Sequence, residues 1–215
     1  MRWQHYLYLI ILIGMFSSCT GNERFELRTG DLLFRGRTPS ALSSAIDEVT
    51  QTGDGNHFSH VGLVEVIAGE VYVIHAEGEK GVCRQPVDSF MTDDTGEKLY
   101  AEAFRVKDDF RKGIGEAVKR AASAIGEPYN YTYIIEDSGY YCSELIWWAF
   151  SPDSVFALSP MTFKDPGSGR FHDGWVRHYE KLGMDIPEGL PGCNPNGMAA
   201  SDNIYRLGVV SEEHF

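Results

Sequence analysis

The sequence predicts a mixed α and β fold organised around an antiparallel hairpin and a helix that begins at a cysteine. Four stretches carry that expectation. Residues 56–77 hold two strand-like runs on either side of the turn signal Ala68-Gly69-Glu70, the pattern of a β-hairpin. Residues 38–49 and 110–125 repeat apolar side chains at helical spacing. Tyr140 to Phe150 is an apolar run long enough for three turns of helix, with Cys142 near its start.

In chain order, Arg2, the apolar stretch Leu7 to Phe16 and the small residues Ser17-Ser18 precede Cys19. This is the pattern of a secretory signal peptide, too short to span a bilayer. Small residues directly before a cysteine resemble the bacterial lipobox, which implies cleavage after residue 18 and lipidation of Cys19. Residues 19–24 are then a tether to the membrane, and 25–215 form a single domain. Thr29-Gly30-Asp31 is a turn braced by Asp31 that leads into the strand Leu32-Leu33-Phe34. Thr38-Pro39 opens the first helix as cap and first-turn proline, and Ala41, Leu42, Ala45, Ile46 and Val49 form its apolar face.

After a Gly-rich loop comes the hairpin. His60 stands where its first strand begins, and His75 and Glu77 near the end of its second, so the three collect at the open end. A two-residue loop places His75 and Glu77 on the face of His60; a three-residue loop places them on the opposite face unless a bulge intervenes. The sequence leaves both open. Gly81–Gln85 and Leu99–Val106 are expected to form a third strand pair, and Phe110–Ile125 a second long helix broken by Gly126-Glu127-Pro128-Tyr129-Asn130. Ser138 and Gly139 precede the Cys142 helix as cap and breaker, and Pro152 ends it. Beyond it the chain is rich in glycine and proline, Ser168–Tyr179 reads as an aromatic, basic, loop-rich region, and Asn203–Leu207 as a short final strand.

A chain of 215 residues supports one domain with a full core. Its net charge of −12 argues against a nucleic-acid partner, because phosphate contacts need a basic surface. After Cys19 three cysteines remain: Cys83, Cys142 and Cys193. An odd number in an exported protein leaves at least one thiol unpaired. If Cys83 and Cys193 join, Cys142 is the free one. There is no CxxC and no Cys/His ladder with zinc spacing.

A cysteine in the first turn of a helix faces unpaired N–H groups and the positive end of the helix dipole, which favours the nucleophilic thiolate. Such a nucleophile needs a base in reach, and the base needs an orienting group. His60 is the candidate base, with His75 or Glu77 beside it; an imidazolium there lowers the thiol pKa further. The Cys142 backbone N–H and the Tyr129 phenol are candidates for binding an oxyanion. The alternatives are a buried structural cysteine and structural strand histidines. A metal pair of His57 and His60 is disfavoured, since that spacing on a strand points the rings to opposite faces. His172 and His178 read as surface or packing residues.

The motifs Gly-Asp-Leu-Leu-Phe, Ser-His-Val-Gly-Leu-Val and Val-Ile-His-Ala resemble the core of the NlpC-type papain-like amidases. In ordinary members the Cys-Ser helix precedes these strands; here Tyr-Cys-Ser-Glu-Leu follows them. That order resembles the circularly permuted papain-like amidases of the YaeF/YiiX type, over residues 29–207. The resemblance implies a papain-like α+β fold, a small antiparallel sheet packed against helices, with the nucleophile Cys142 at a helix N-terminus. It implies His60 as general base, His75 as the third polar residue, where relatives often have Glu, and Tyr129 at the oxyanion site. The expected activity is that of an exported cysteine hydrolase of the cell envelope, needing no cofactor or metal and acting as a monomer. Its substrate is expected to be a cell-wall peptide or a lipid-linked acyl group. Acyl transfer to an acceptor other than water stays open, as does a lipoprotein that binds peptide or lipid without turnover.

Overall fold

A computed structural model describes residues 25–215 apart from positions 54 and 56. The expected signal peptide, the expected tether and Cys19, the expected lipidation site, lie outside those residues. Six strands, β1 (Leu32–Arg35), β2 (His60–Ile67), β3 (Glu70–Glu77), β4 (Gly81–Pro86), β5 (Ala101–Val106) and β8 (Ile204–Val209), form one sheet in the order β4-β3-β2-β1-β5-β8. Every pairing in it is antiparallel. A second, two-stranded ladder joins β6 (Ser159–Pro160) to β7 (Pro191–Gly192). The helices are α1 (Ala41–Thr50), α2 (Val87–Phe90), α3 (Ile114–Ser123), α4 (Cys142–Phe150), α5 (Asp173–Leu182) and α6 (Pro195–Ala199).

The period-two alternation of the strands divides the core between the two faces of the sheet. Leu32, Phe34, Val61, Leu63, Ile74 and Val106 pack with Ala117 and Ala121 of α3 and with Leu145, Ile146 and Ala149 of α4. Leu33, Val64, Val73 and Ala103 face the other way, onto Val87 and Phe90 of α2. Each Leu, Ile, Val or Phe among them, once fully buried, contributes about 1.5–3 kcal/mol. Asp31 braces the turn before β1: its carboxylate accepts from the Arg28 N–H at 2.8 Å and from Arg105 Nε at 2.6 Å.

The hairpin closes with two residues, since Ile67 pairs with Glu70. Ala68 and Gly69 both take positive φ, 52° and 88°, as a two-residue turn of primed type requires. His75 and Glu77 therefore share the face of His60.

Two expectations are corrected. β4 and β5 do not pair: β4 extends the hairpin beyond β3, while β5 lies between β1 and β8. The loop-rich region at residues 168–179 contains most of α5. Its cap is unusual, the His172 side chain accepting from Gly174 N–H at 3.0 Å. Trp175 and Tyr179, one turn apart, fill the core beneath it. His172 also bonds Glu48 at 3.0 Å, and His178 bonds the Tyr131 carbonyl at 2.7 Å, so both hold segments together.

Candidate active site

The start of α4 is set by a carboxylate rather than by Ser138. Tyr141 is the N-cap, and its N–H donates to Glu144 Oε2 at 3.1 Å. Asn130 Nδ2 donates to the same oxygen at 3.1 Å, which ties the Gly-Glu-Pro-Tyr-Asn segment to the helix. Tyr140 N–H donates to the Pro128 carbonyl at 3.1 Å, and Asn130 N–H to the Tyr140 carbonyl at 3.2 Å. Gly139 has φ 88°, and a Cβ there would stand 2.3 Å from the Pro128 oxygen, so only glycine fits this crossing.

Cys142 follows as the first helical residue and is 3% exposed. Burial pushes its thiol up to about 11, against the opposing pull of the Val61 and Ser143 backbone N–H groups and the Arg35 charge. The expected resting thiolate is thereby corrected: the sulfur is a neutral thiol, because desolvation outweighs the helix field. The involvement of the Val61 N–H places it at the start of β2, one residue beyond His60.

His60 Nε2 lies 2.9 Å from His75 Nδ1, and His75 Nε2 lies 3.0 Å from Gln85 Oε1. A carbonyl oxygen only accepts, so with Oε1 so placed His75 Nε2 carries its proton and His75 Nδ1 accepts from His60 Nε2–H. His60 Nδ1 is then the ring nitrogen with a free lone pair. Both rings are neutral. Burial, then the Arg35 charge and the neighbouring His75 ring, hold His60 well below the usual 6.5. Burial, opposed chiefly by Glu77, brings His75 down to about 4. Phe90 floors the pair, its centroid 5.6 Å from His60 and 5.0 Å from His75. Gly62 makes room for this arrangement, since a Cβ there would stand 2.4 Å from Val73 Cγ1 and 3.2 Å from His75 Cβ.

Glu77, the rival orienter, is engaged elsewhere, 3.5 Å from Arg35 Nη2 and 3.3 Å from Lys80 Nζ. His57 is exposed and bonds Asp47 at 3.2 Å. Cys83 and Cys193 are both free thiols, so the disulfide between them does not form. Cys83 lies on β4 with its sulfur 3.5 Å from His75 Nε2. Cys193 packs beside the Cys142 helix, its carbonyl accepting from Ser143 Oγ at 3.1 Å.

Tyr129 lines a polar hollow together with His60, Arg35, Glu77 and Ser59. Burial raises its phenol well above 10, so it remains a proton donor. Its hydroxyl stands 3.2 Å from that of Tyr133, a residue the sequence does not single out. Tyr133 has φ 57°, a strained backbone for a bulky side chain. It borders both the polar hollow and a second, apolar one, in which Cys142 lies beside Val49, Met161, Phe163, Trp175 and Cys193. The signal that finds this loop is Asn130-Tyr131-Thr132, since Asn130 Oδ1 accepts from Thr132 N–H at 3.1 Å and shapes the turn that presents Tyr133. Asn196, fully buried, is a second residue not foreseen. Its Oδ1 accepts from Phe58 N–H at 2.8 Å and fixes the segment that delivers His60.

A sequence model of the permuted papain-like amidase enzymes, the YaeF/YiiX, C92 family, matches residues 26–208. Among solved structures, metalloprotein yiiX from Escherichia coli O157:H7 has a TM-score of 0.67 at 20% identity, covering 87% of this chain and 98% of that one. No match to a curated protein is found. The six-stranded antiparallel sheet packed by helices, with a cysteine opening α4 after the histidine strands, is that fold in its permuted order. The chain belongs to the permuted papain-like amidase family of the YaeF/YiiX, C92 type.

Proposed function

We propose that the chain is an exported, lipid-anchored cysteine hydrolase that cleaves an amide or related acyl bond through an acyl-enzyme on Cys142. One observation carries this reading. The relay from His60 through His75 to Gln85 leaves His60 Nδ1 as the basic nitrogen, on the residue next to Val61, whose backbone N–H acts on the Cys142 thiol.

His60 Nδ1 takes the thiol proton as the sulfur attacks the carbonyl carbon. The carbonyl π pair moves onto oxygen, where the Cys142 N–H and the Tyr129 hydroxyl receive it. Collapse re-forms the carbonyl and breaks the bond to the leaving amine, which takes the proton from His60. Water then attacks the thioester and gives a proton to His60, which returns it to the departing sulfur. Because His60 and the thiol are both neutral at rest, the proton moves during attack rather than before it.

The apolar hollow at Cys142 suits a lipid-linked acyl group better than a charged cell-wall peptide. The burial of Cys142 also supports a second reading. A thioester there is shielded from bulk water, which favours transfer to another acceptor. The description of the Escherichia coli protein as a metalloprotein is not carried over to this chain. Among the described residues no three His, Cys, Asp or Glu side chains are placed to hold one, and the facing nitrogens of His60 and His75 bond each other.

Intact-mass spectrometry after exposure to cell-envelope extract tests the reading. The expected result is an acyl adduct on Cys142 that is absent from Cys142→Ala and fails to build up in His60→Ala. An adduct confined to Cys83 or Cys193, or one indifferent to His60, overturns it.

A further inference from the structure

Arg35 closes β1 directly opposite His60 in the β1–β2 ladder. It is 6% exposed, an unusual place for a guanidinium. Nη1 donates to the Phe90 carbonyl at 2.9 Å, and the cation stands 5.1 Å from the Phe90 ring centroid. Its one ion-pair partner among the described residues is weakly held: Glu77 Oε1 is 3.5 Å from Nη2, and that carboxylate is shared with Lys80. Nε is buried and has no hydrogen-bond partner among the described residues. A guanidinium offers five N–H donors, and leaving buried ones unmatched costs free energy. Arg35 is thus a held cation with one donor, Nε–H, left without a partner and another, at Nη2, only loosely matched, bordering the hollow that His60 also borders.

The chemistry of the cleavage says which half of a substrate lies there. The base that protonates the departing amine must stand beside it, so the leaving group occupies the hollow at His60. The acyl half, bonded to sulfur, occupies the apolar hollow at Cys142. We infer that Arg35 anchors an anionic group, a carboxylate or a phosphate, on the leaving half of the substrate. A fork of parallel N–H donors fits either anion, and the anion takes the place that Glu77 holds loosely. The assignment of halves rests on the cysteine-hydrolase reading; the anion site itself does not.

The test separates the two by measuring binding without turnover. Cys142→Ala protein is titrated by calorimetry with N-decanoylglycine and with its uncharged partner N-decanoylglycinamide. N-decanoylethanolamine phosphate and N-decanoylethanolamine form the second pair. The charged member of one pair is expected to bind about tenfold or more tightly than its neutral partner, as one charge-assisted hydrogen bond implies. The pair that shows the gap says whether the anion is a carboxylate or a phosphate. Adding Arg35→Met is expected to bring the ratio close to one. Because loss of a buried cation can prevent folding, Glu77→Gln gives a measurement of opposite sign: with its competitor neutralised, Arg35 should hold the anion several-fold more tightly. Equal affinity within both pairs, no binding by any of the four ligands, or indifference to Glu77→Gln overturns the anchor. If the charged ligand is preferred but wild-type protein never cleaves it, the hydrolase reading fails and the anchor stands. Cleavage with no preference for charge has the reverse meaning.

Discussion

A helix N-terminus favours an anion by about 0.3–1 kcal/mol, rising to about 2 in buried geometry. Full desolvation can move a pKa by up to about 3–5 units, and one unit is about 1.4 kcal/mol. At Cys142 the second effect wins, and its thiol stands at about 11. Catalysis at this residue therefore depends on a base that is neutral and correctly aimed, which gives Gly62 its importance. It lies two residues beyond His60 on the same face, and a Cβ there would press on Val73 Cγ1, on the Phe90 ring that floors both histidines and on His75 Cβ. Gly62→Ala is expected to cost about 1–3 kcal/mol, as overpacking of a close-packed site does. The denaturant midpoint should fall accordingly, and the rate of acylation should fall further than stability alone explains, because His75 is displaced. An unchanged midpoint together with an unchanged rate would mean that the pocket relaxes freely around the added methyl.

At the scale of elements, the Glu144 carboxylate is the joint between α4 and the Tyr129 segment. Glu144→Ala removes the acceptor for both Tyr141 N–H and Asn130 Nδ2. A loss of about 1–2 kcal/mol is expected, as for a deleted helix cap, with hydrogen exchange rising first at residues 129–142. Uniform exchange across the chain would show that the joint is not local. The same elements show what a sequence can carry. Ser-His-Val-Gly and Ile-His-Ala announce themselves because local alternation and a turn signal define a hairpin. Its register does not, since Ala68-Gly69-Glu70 parses as two residues or three, and nothing in Ala68 signals a positive φ. The partners of β4 and β5 are chosen by long-range packing, beyond the reach of local pattern. The helix α5 is hidden by a histidine cap, although Gly183, with φ 67° just past its end, is a stop signal that finds it. The left-handed Tyr133 has no glycine or asparagine to advertise it.

The buried ionisable groups of the site give the whole molecule a particular dependence on pH. His60 and His75 are held neutral, with folded pKa values below the unfolded 6.5. A group depressed in this way leaves stability whole above the unfolded value and removes it as pH falls, because the unfolded chain binds the proton first. For His75, whose folded value is about 4, the loss runs from about pH 6.5 down to about pH 4 and amounts to about 3 kcal/mol. Glu144 acts in the opposite sense. Burial raises it from 4.5 to about 7, so between those values the folded state keeps the proton that the unfolded chain has lost, and stability falls as pH rises. The two histidines outweigh this single carboxyl, and Tm should fall as the medium is acidified from pH 6.5 to pH 4. His75→Gln, which still offers His60 an acceptor, should flatten the acid decline. Glu144→Gln, which still accepts from Tyr141 and Asn130, should steepen it by removing the opposing slope. Thermal unfolding of the three proteins at half-unit steps from pH 4 to pH 8 checks both signs. A wild-type Tm that is level across the acid range would show that His60 or His75 is already charged in the folded protein, and with it the neutral base on which attack by Cys142 depends would be lost.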